Sequence, residues 1–320
     1  MAEARERAAP FQAPGDDFAA AVLSGLSRPH KSLPCRFLYD AVGSALFEEI
    51  TGLPEYYPTR TEIGILEAHA PEMLQGVGDE TVLVEFGSGS SVKTEILLGA
   101  VGGLGAYIPI DISQSALADA QARLRVRFPK LDVRLIAADF SAPIALPADV
   151  AQRRKLGFFP GSTIGNFPPM EATRLLAAMR ETLSPDARLV IGVDLKKDPR
   201  RLVRAYDDAA GVTAAFNLNL LARINRELAG GFDLDAFRHA ATYNPVDGRV
   251  EMHLVSLKDQ LVSVGEAQFR FRAGETIHTE NAYKYSIPQF REMAQSAGWT
   301  SRRVWSDGSG LFSVHELVAP

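Results

Sequence analysis

Cysteine is nearly missing from this chain: Cys35 is the single one in 320 residues. No intramolecular disulfide and no thiolate-rich metal site can be built from it, so its thiol is expected to be structural. The six histidines, at 30, 69, 239, 253, 278 and 315, show no H-x-x-x-H or H-E-x-x-H spacing, so no metal site is expected. A basic excess is also lacking. Lys and Arg number 34 against 39 Asp and Glu, for a net charge of -5. That disfavours nucleic acid as a partner, because phosphate backbones are bound by cationic surfaces. No apolar run approaches the length of a membrane span. The start, MAEARERAAP, has mixed charge and no apolar stretch behind it, so it does not read as a secretory signal. The cytoplasm is the expected compartment. Neither an internal repeat nor a low-complexity linker is present.

Hydrophobic residues make up 46% of the chain, enough for one large or two medium cores. Residues 1–16, rich in Ala, Pro and charge, are expected to be a flexible N-terminus. DDFAAAVLSGL and SALFEEITGLP read as helices, the second capped by Ser44. LPEYYPTRTE (53–62) reads as a Pro-bounded loop holding Tyr56 and Tyr57. From about residue 62, strands alternate with helices: TVLVEF, AYIPID, VRLIAADF (133–140), KLGFFPG and ARLVIGVDL, with helical segments between them. Apolar strands separated by helices predict a parallel, doubly wound α/β sheet. The alternation then stops. A long helical stretch beginning at DPRRLVRAYDD and several strand-like runs up to about 284 predict an α+β insert. SIPQFREMAQSAGW reads as a helix, followed by two short strands able to close the sheet as an antiparallel pair.

The chemistry is concentrated in VLVEFGSGSSVKT and YIPIDIS. A strand delivers Glu85 into a tight turn at Gly87 and Gly89, and the next strand ends in Asp111. Ligands of open α/β sheets sit at such carboxyl ends. A phosphate loop requires a glycine directly before the lysine, but Val92 stands there and its Cβ would obstruct the cradle. The third glycine of a dinucleotide fingerprint is missing for the same reason. S-adenosylmethionine (SAM) has no phosphate and needs the first glycines and an acid on the second strand, so E-x-G-x-G followed by Asp111 fits it best. Nucleotide binding and a plain turn with surface acids stay open on this motif alone. Asp139 and Phe140, ending the third strand, are placed for the edge and face of an adenine. Asn166, in GSTIGN, can accept from an amine and orient its lone pair, or simply cap its loop.

Taken together, KSLPCRFLYDAVGSALFEEITGLPEYYPTRTE, LVEFGSGSSVKT, GSTIGNF, DLKKDPRRLVRAYDDAAGVTAAFNLNLL and IHTENAYKYS resemble the SAM-dependent histidine Nα-methyltransferases of ergothioneine biosynthesis. The resemblance covers about residues 30–318. It implies a Rossmann-like class I methyltransferase domain, 61–195 with 285–320. It also implies a second, α+β substrate-binding domain, 17–60 with 196–284. Three methyl transfers to the α-amine of L-histidine, giving hercynine, would follow. On matching positions, Gly87, Lys93, Asp111, Asp139 and Phe140 would contact SAM, beside Gly89 of the turn. Tyr39, Tyr56, Gly161, Asn166 and Tyr206 would surround the α-amino and carboxylate groups, with Tyr39 a candidate proton relay. Glu280 would receive the imidazole, with Met252 close to it. One position departs: where the family usually has serine two residues after this glutamate, this chain has Ala282. That opens the side-chain preference to another amino acid such as tryptophan. The rival of a different class is a catalytically silent SAM-binding module. The partner expected is a small molecule, with no nucleic acid or membrane, and the chain is expected to be a monomer.

Overall fold

The structure, a computed structural model, describes residues 14–89, 92–184 and 186–319. Most of the N-terminal segment expected to be flexible lies outside the described residues. The chain divides into two compact units. The larger holds residues 48–208, 242–250 and 281–320, and the smaller holds 1–47, 209–241 and 251–280.

A seven-stranded sheet forms the centre of the larger unit. Numbered in chain order, its strands are β1 Thr81–Phe86, β2 Ala106–Asp111, β3 Ile136–Ala137, β4 Arg154–Phe159, β5 Arg188–Asp194, β6 Thr300–Ser306 and β7 Phe312–Val318. They lie in the order β3-β2-β1-β4-β5-β7-β6. The first five run parallel to one another, and β7 is antiparallel to both β5 and β6. The direction of strand succession reverses between β1 and β4, which puts a crevice at the carboxyl end of β1. Both faces of the sheet are covered. Val82, Val84 and Phe86 join Ile108 and Ile191 against helices Pro169–Leu183 and Ile287–Ser296. The alternate residues Leu83, Tyr107, Phe158 and Val190 pack with Leu66 of helix Tyr57–Met73 and Leu97 of helix Val92–Ala100. This period-two division of apolar residues gives the expected doubly wound α/β layers.

The smaller unit contains helix Val212–Glu227 and the antiparallel hairpin of Gln260–Val264 with Ala267–Phe271. Lys31–Ser32 pairs in parallel with Ile277 and His278. Strands Phe237–Asn244, Arg249–Ser256 and Thr276–Tyr283 each contribute residues to both units.

Local chemistry corrects several boundaries. The second helix begins at Ala41, three residues before the expected Ser44 cap. Asp40 caps it instead, its Oδ1 accepting the Gly43 N–H at 2.8 Å. Tyr57 opens a helix within the expected loop, because Pro58 stands in the first turn, where its missing N–H costs nothing. The long helical stretch is two helices, Pro199–Tyr206 and Val212–Glu227, parted at Gly211 with φ 76°. The third strand is reduced to Ile136–Ala137 with an isolated bridge at Val133, as suits the sheet edge. The contact-defined larger unit also takes in 48–60 and 196–208, where Tyr57 and Lys197 meet Asp194.

Candidate active site

The turn after β1 is built for close approach. Gly87 has φ 74° and donates its N–H to Ile110 O at 2.8 Å. A Cβ there would lie 3.7 Å from the Phe140 ring. Gly89 has φ 40°, again in the left-handed region that glycine adopts at little cost. Phe140 is fixed edge-on against Phe86 and Phe159, with centroids 6.2 and 5.7 Å away. At the end of β2, Asp111 Oδ1 accepts the Ser113 N–H at 2.9 Å. Burial raises the Asp111 carboxyl above its ordinary value, partly offset by backbone N–H groups including those of Ser113 and Gly89. Asp139 is exposed and accepts the Ser141 N–H at 2.8 Å.

Glu85 lies beneath the turn, not in the crevice. Thr94 Oγ1 donates to its Oε1 at 2.7 Å, and the Tyr107 hydroxyl donates to its Oε2. The carboxyl thus ties β1 to β2 and to helix Val92–Ala100. Burial pushes it up to about 8, against the lowering effect of Tyr107 and Thr94. Between pH 4.5 and about 8 the folded chain therefore holds a proton that the unfolded chain releases. Stability must fall as pH rises through that window, by up to about 1.4 kcal/mol per unit. Denaturant titrations across it should show this slope in the wild type and its loss in Glu85→Gln. Equal slopes in both would remove Glu85 as the source.

Glu62 was not legible as a site residue. It is buried, and both its oxygens accept the Gly161 N–H, at 3.0 and 2.9 Å. Lys93 pairs with it at 2.6 Å. Gly161 has φ 83°. A Cβ on Gly165 would sit 2.7 Å from Tyr283 O, so glycine is needed there for close backbone approach. Asn166 ends the short 3-10 turn Thr163–Asn166 and is half-buried.

A second buried cluster forms at the end of β5. Asp194 accepts the Tyr57 hydroxyl at 2.9 and 2.8 Å on its two oxygens. Lys197 pairs with its Oδ1 at 2.5 Å and Lys284 with its Oδ2 at 2.6 Å. Burial pushes the Asp194 carboxyl up, but Lys284 and Lys197 outweigh it and hold it below its ordinary value. Burial lowers Lys197 to about 8 against the pull of Asp194. Lys284 also donates to the Tyr206 hydroxyl at 2.8 Å. The Tyr206 ring meets the buried Tyr56 edge-on, with centroids 6.1 Å apart. The larger unit thus brings together Gly87, Asp111 and Phe140 around the turn, Lys93 with Gly161, and Tyr56 with Tyr206. Ala282 is buried in the same unit.

Tyr39, Met252 and Glu280 belong to the smaller unit. Tyr39 packs edge-on against Phe47 and Phe216, at 5.5 and 5.4 Å between centroids. Glu280 lies on strand Thr276–Tyr283 and is buried, as is Met252. Thr279 Oγ1 donates to Met252 O at 3.1 Å, which ties the two strands beside Glu280. The Cys35 thiol is pushed up to about 12, first by burial and then by the Glu280 charge. A thiol held neutral in this way is a poor nucleophile.

The crevice residues fit a sulfonium nucleoside. The lysine that a phosphate loop would offer its ligand is paired with buried Glu62, and Val92 stands where a phosphate loop needs glycine. An acid and an aromatic ring stand at the glycine turn instead. A family described as "Histidine-specific methyltransferase, SAM-dependent" matches residues 18–319. The chain belongs to this family. It is a SAM-dependent methyltransferase. It is 43% identical over 302 residues to "Histidine N-alpha-methyltransferase" of Mycolicibacterium smegmatis, covering 93% of each chain. Identity to the protein of the same name from Mycobacterium tuberculosis is 41%, covering 92% of each. "Ergothioneine biosynthesis protein 1" of Neurospora crassa is 31% identical, over 92% of this chain and 34% of its own length. Among the described residues, no helix is long and apolar enough to cross a membrane.

Proposed function

We propose that this family member transfers methyl groups from SAM to the α-amino nitrogen of L-histidine, three times in succession, giving hercynine. The observation that carries this reading is the near full-length identity to two proteins named for histidine Nα-methylation. The glycine turn with Asp111 and Phe140 supports it.

When bound, SAM supplies an electrophilic methyl on a positively charged sulfur. Gly87 and Gly89 would admit its backbone-facing edge, Asp111 would accept its ribose hydroxyls, and Asp139 and Phe140 would meet its adenine. Lys93 would act from its pairing with Glu62. Tyr56, Gly161, Asn166 and Tyr206 would hold the amino acid's α-amino and carboxylate groups. In the smaller unit, Glu280 and Met252 would receive the imidazole. Holding an amine in line with the methyl removes much of the entropic barrier, so no covalent nucleophile is needed. Tyr39 lies in an aromatic group with Phe47 and Phe216. An aromatic wall tolerates an amine at every stage of methylation, because a quaternary ammonium is attracted to a π face. Tyr39 is also the candidate proton relay. The chain is proposed to work as a cytoplasmic monomer.

Ala282 favours a second reading, in which another amino acid, such as tryptophan, is methylated. Mass spectrometry of products from purified protein, SAM and a panel of amino acids separates the two. The expected result is histidine carrying one, two and three added methyl groups. Turnover of another amino acid with none of histidine would overturn the histidine assignment. SAM binding without turnover of any amino acid would mark a silent binding module.

A further inference from the structure

One carboxylate joins the glycine turn after β1 to the loop after β4. Glu62 projects from helix Tyr57–Met73 and is only 1% exposed. Its Oε2 lies 2.6 Å from the Lys93 ammonium, and both its oxygens accept the Gly161 N–H. Lys93 stands in the first turn of helix Val92–Ala100, just past the glycine turn. Gly161 belongs to the segment that leads from β4 to Asn166. Glu62 thus bridges the reversal between β1 and β4, where the crevice lies. The sequence makes room for it at a cost. Gly192 interrupts the apolar run of β5, and a Cβ there would lie 2.0 Å from Glu62 Oε1. Glycine inside a strand weakens it and marks a close approach. A buried carboxylate is itself costly unless paired, and an apolar side chain would fill the same space with less penalty. Two features that lower stability therefore meet at one carboxylate beside the crevice.

The loop that Glu62 holds is strained. Ser162 has φ 55° without being glycine, a conformation that persists only when its surroundings fix it. The peptide joining Pro160 to Gly161 is held at both ends: its N–H donates to Glu62, and its carbonyl accepts the Thr163 hydroxyl at 3.0 Å. One residue on, Ser162 Oγ accepts the Asp194 N–H at 2.9 Å. Lys93 is confined by the same group, since a Cβ on Gly161 would lie 3.4 Å from its Nζ. Carboxylate, ammonium and glycine are packed against one another, so a shift in any of them is felt by the other two.

We infer that Glu62 is a positioning residue with two arms: it aims the Lys93 ammonium for SAM and fixes the Gly161 loop for the amino acid. This rests on the assignments of Lys93 and Gly161 under the proposed function. Glu62 itself need touch neither ligand.

The test is a double-mutant cycle between Glu62 and Lys93 in which the two ligands are read separately. Glu62→Gln keeps the shape but loses the charge, and its amide NH2 must face one of the two donors. Isothermal titration should show SAM binding weakened by about tenfold, as for a lost charge-assisted bond. The KM for histidine should rise by about fivefold through the Gly161 arm. Lys93→Met should weaken SAM by a similar factor to Glu62→Gln. In the Lys93→Met background, Glu62→Gln should weaken SAM by less than about twofold more, because the group it works through is gone. The rise in histidine KM should persist there. A merely structural Glu62 would weaken SAM by the same factor in either background. Factors that multiply across the cycle, or a folded Glu62→Gln that binds SAM as the wild type does, would overturn the inference. Should Glu62→Gln fail to fold, Gly161→Ala crowds the same ammonium with the carboxylate in place, and unchanged SAM affinity there would overturn it equally. A wild type that binds SAM but turns over no histidine would instead reject the proposed function, and the histidine arm with it.

Discussion

Asp194→Ala is expected to destabilise the chain by about 3–5 kcal/mol, the usual cost of removing one partner from a buried ion pair. Asp194 is fully buried. Its loss takes from two buried ammonium groups and the Tyr57 hydroxyl the one carboxylate that all three contact. Lys197 would suffer first, because burial already lowers it to about 8 and it would shed its proton more readily. Asp194→Asn keeps the shape and one acceptor, so it should fall between the alanine variant and the wild type. Equilibrium denaturation at fixed ionic strength measures this. A change below about 1 kcal/mol for Asp194→Ala, the range of an exposed pair, would mean that water reaches the cluster.

Glu280→Ala should weaken histidine binding about tenfold or more, as expected for a lost charge-assisted hydrogen bond. SAM affinity should hold, since the crevice at Gly87 and Asp111 is built from residues of the other unit. Isothermal titration of each ligand, with the other absent and present, separates the two. Histidine affinity that survives the change would take Glu280 out of the specificity role. The companion variant, Ala282→Ser, restores the hydroxyl that the family usually carries. One added hydrogen bond contributes about 0.5–1.5 kcal/mol, so histidine should bind a few-fold more tightly. No gain would mean that the wild-type site already satisfies that imidazole nitrogen.

The parallel core was legible because its strands are short apolar runs separated by helices; their order in the sheet was not. Local sequence alone places Gly87 and Asp111 at strand ends, whereas Phe140, expected to end the third strand, lies three residues beyond Ala137. Helix starts were less so. Ser44 looked like a cap, but Asp40 reaches the orphan N–H groups first. Tyr57 and Pro58 looked like loop, yet proline in a first turn starts a helix as readily as it ends one. The Asp194 cluster was not legible at all. Tyr57 and Asp194 are 137 positions apart, and Lys197 reads as an ordinary solvated lysine until the fold buries it. Glu62 is hidden in the same way, its partner Gly161 being 99 positions away.

The placing of β7 between β5 and β6 bears on how the molecule is made. A ribosome delivers β5 long before β7, yet β7 is the strand that covers one whole side of it, from Arg188 to Asp194. Until then the nascent chain carries an open row of backbone donors and acceptors beside Leu189, Ile191 and Val193. Such an edge invites pairing with another chain. Premature termination ahead of Phe312 should thus yield a sticky fragment instead of a shorter enzyme.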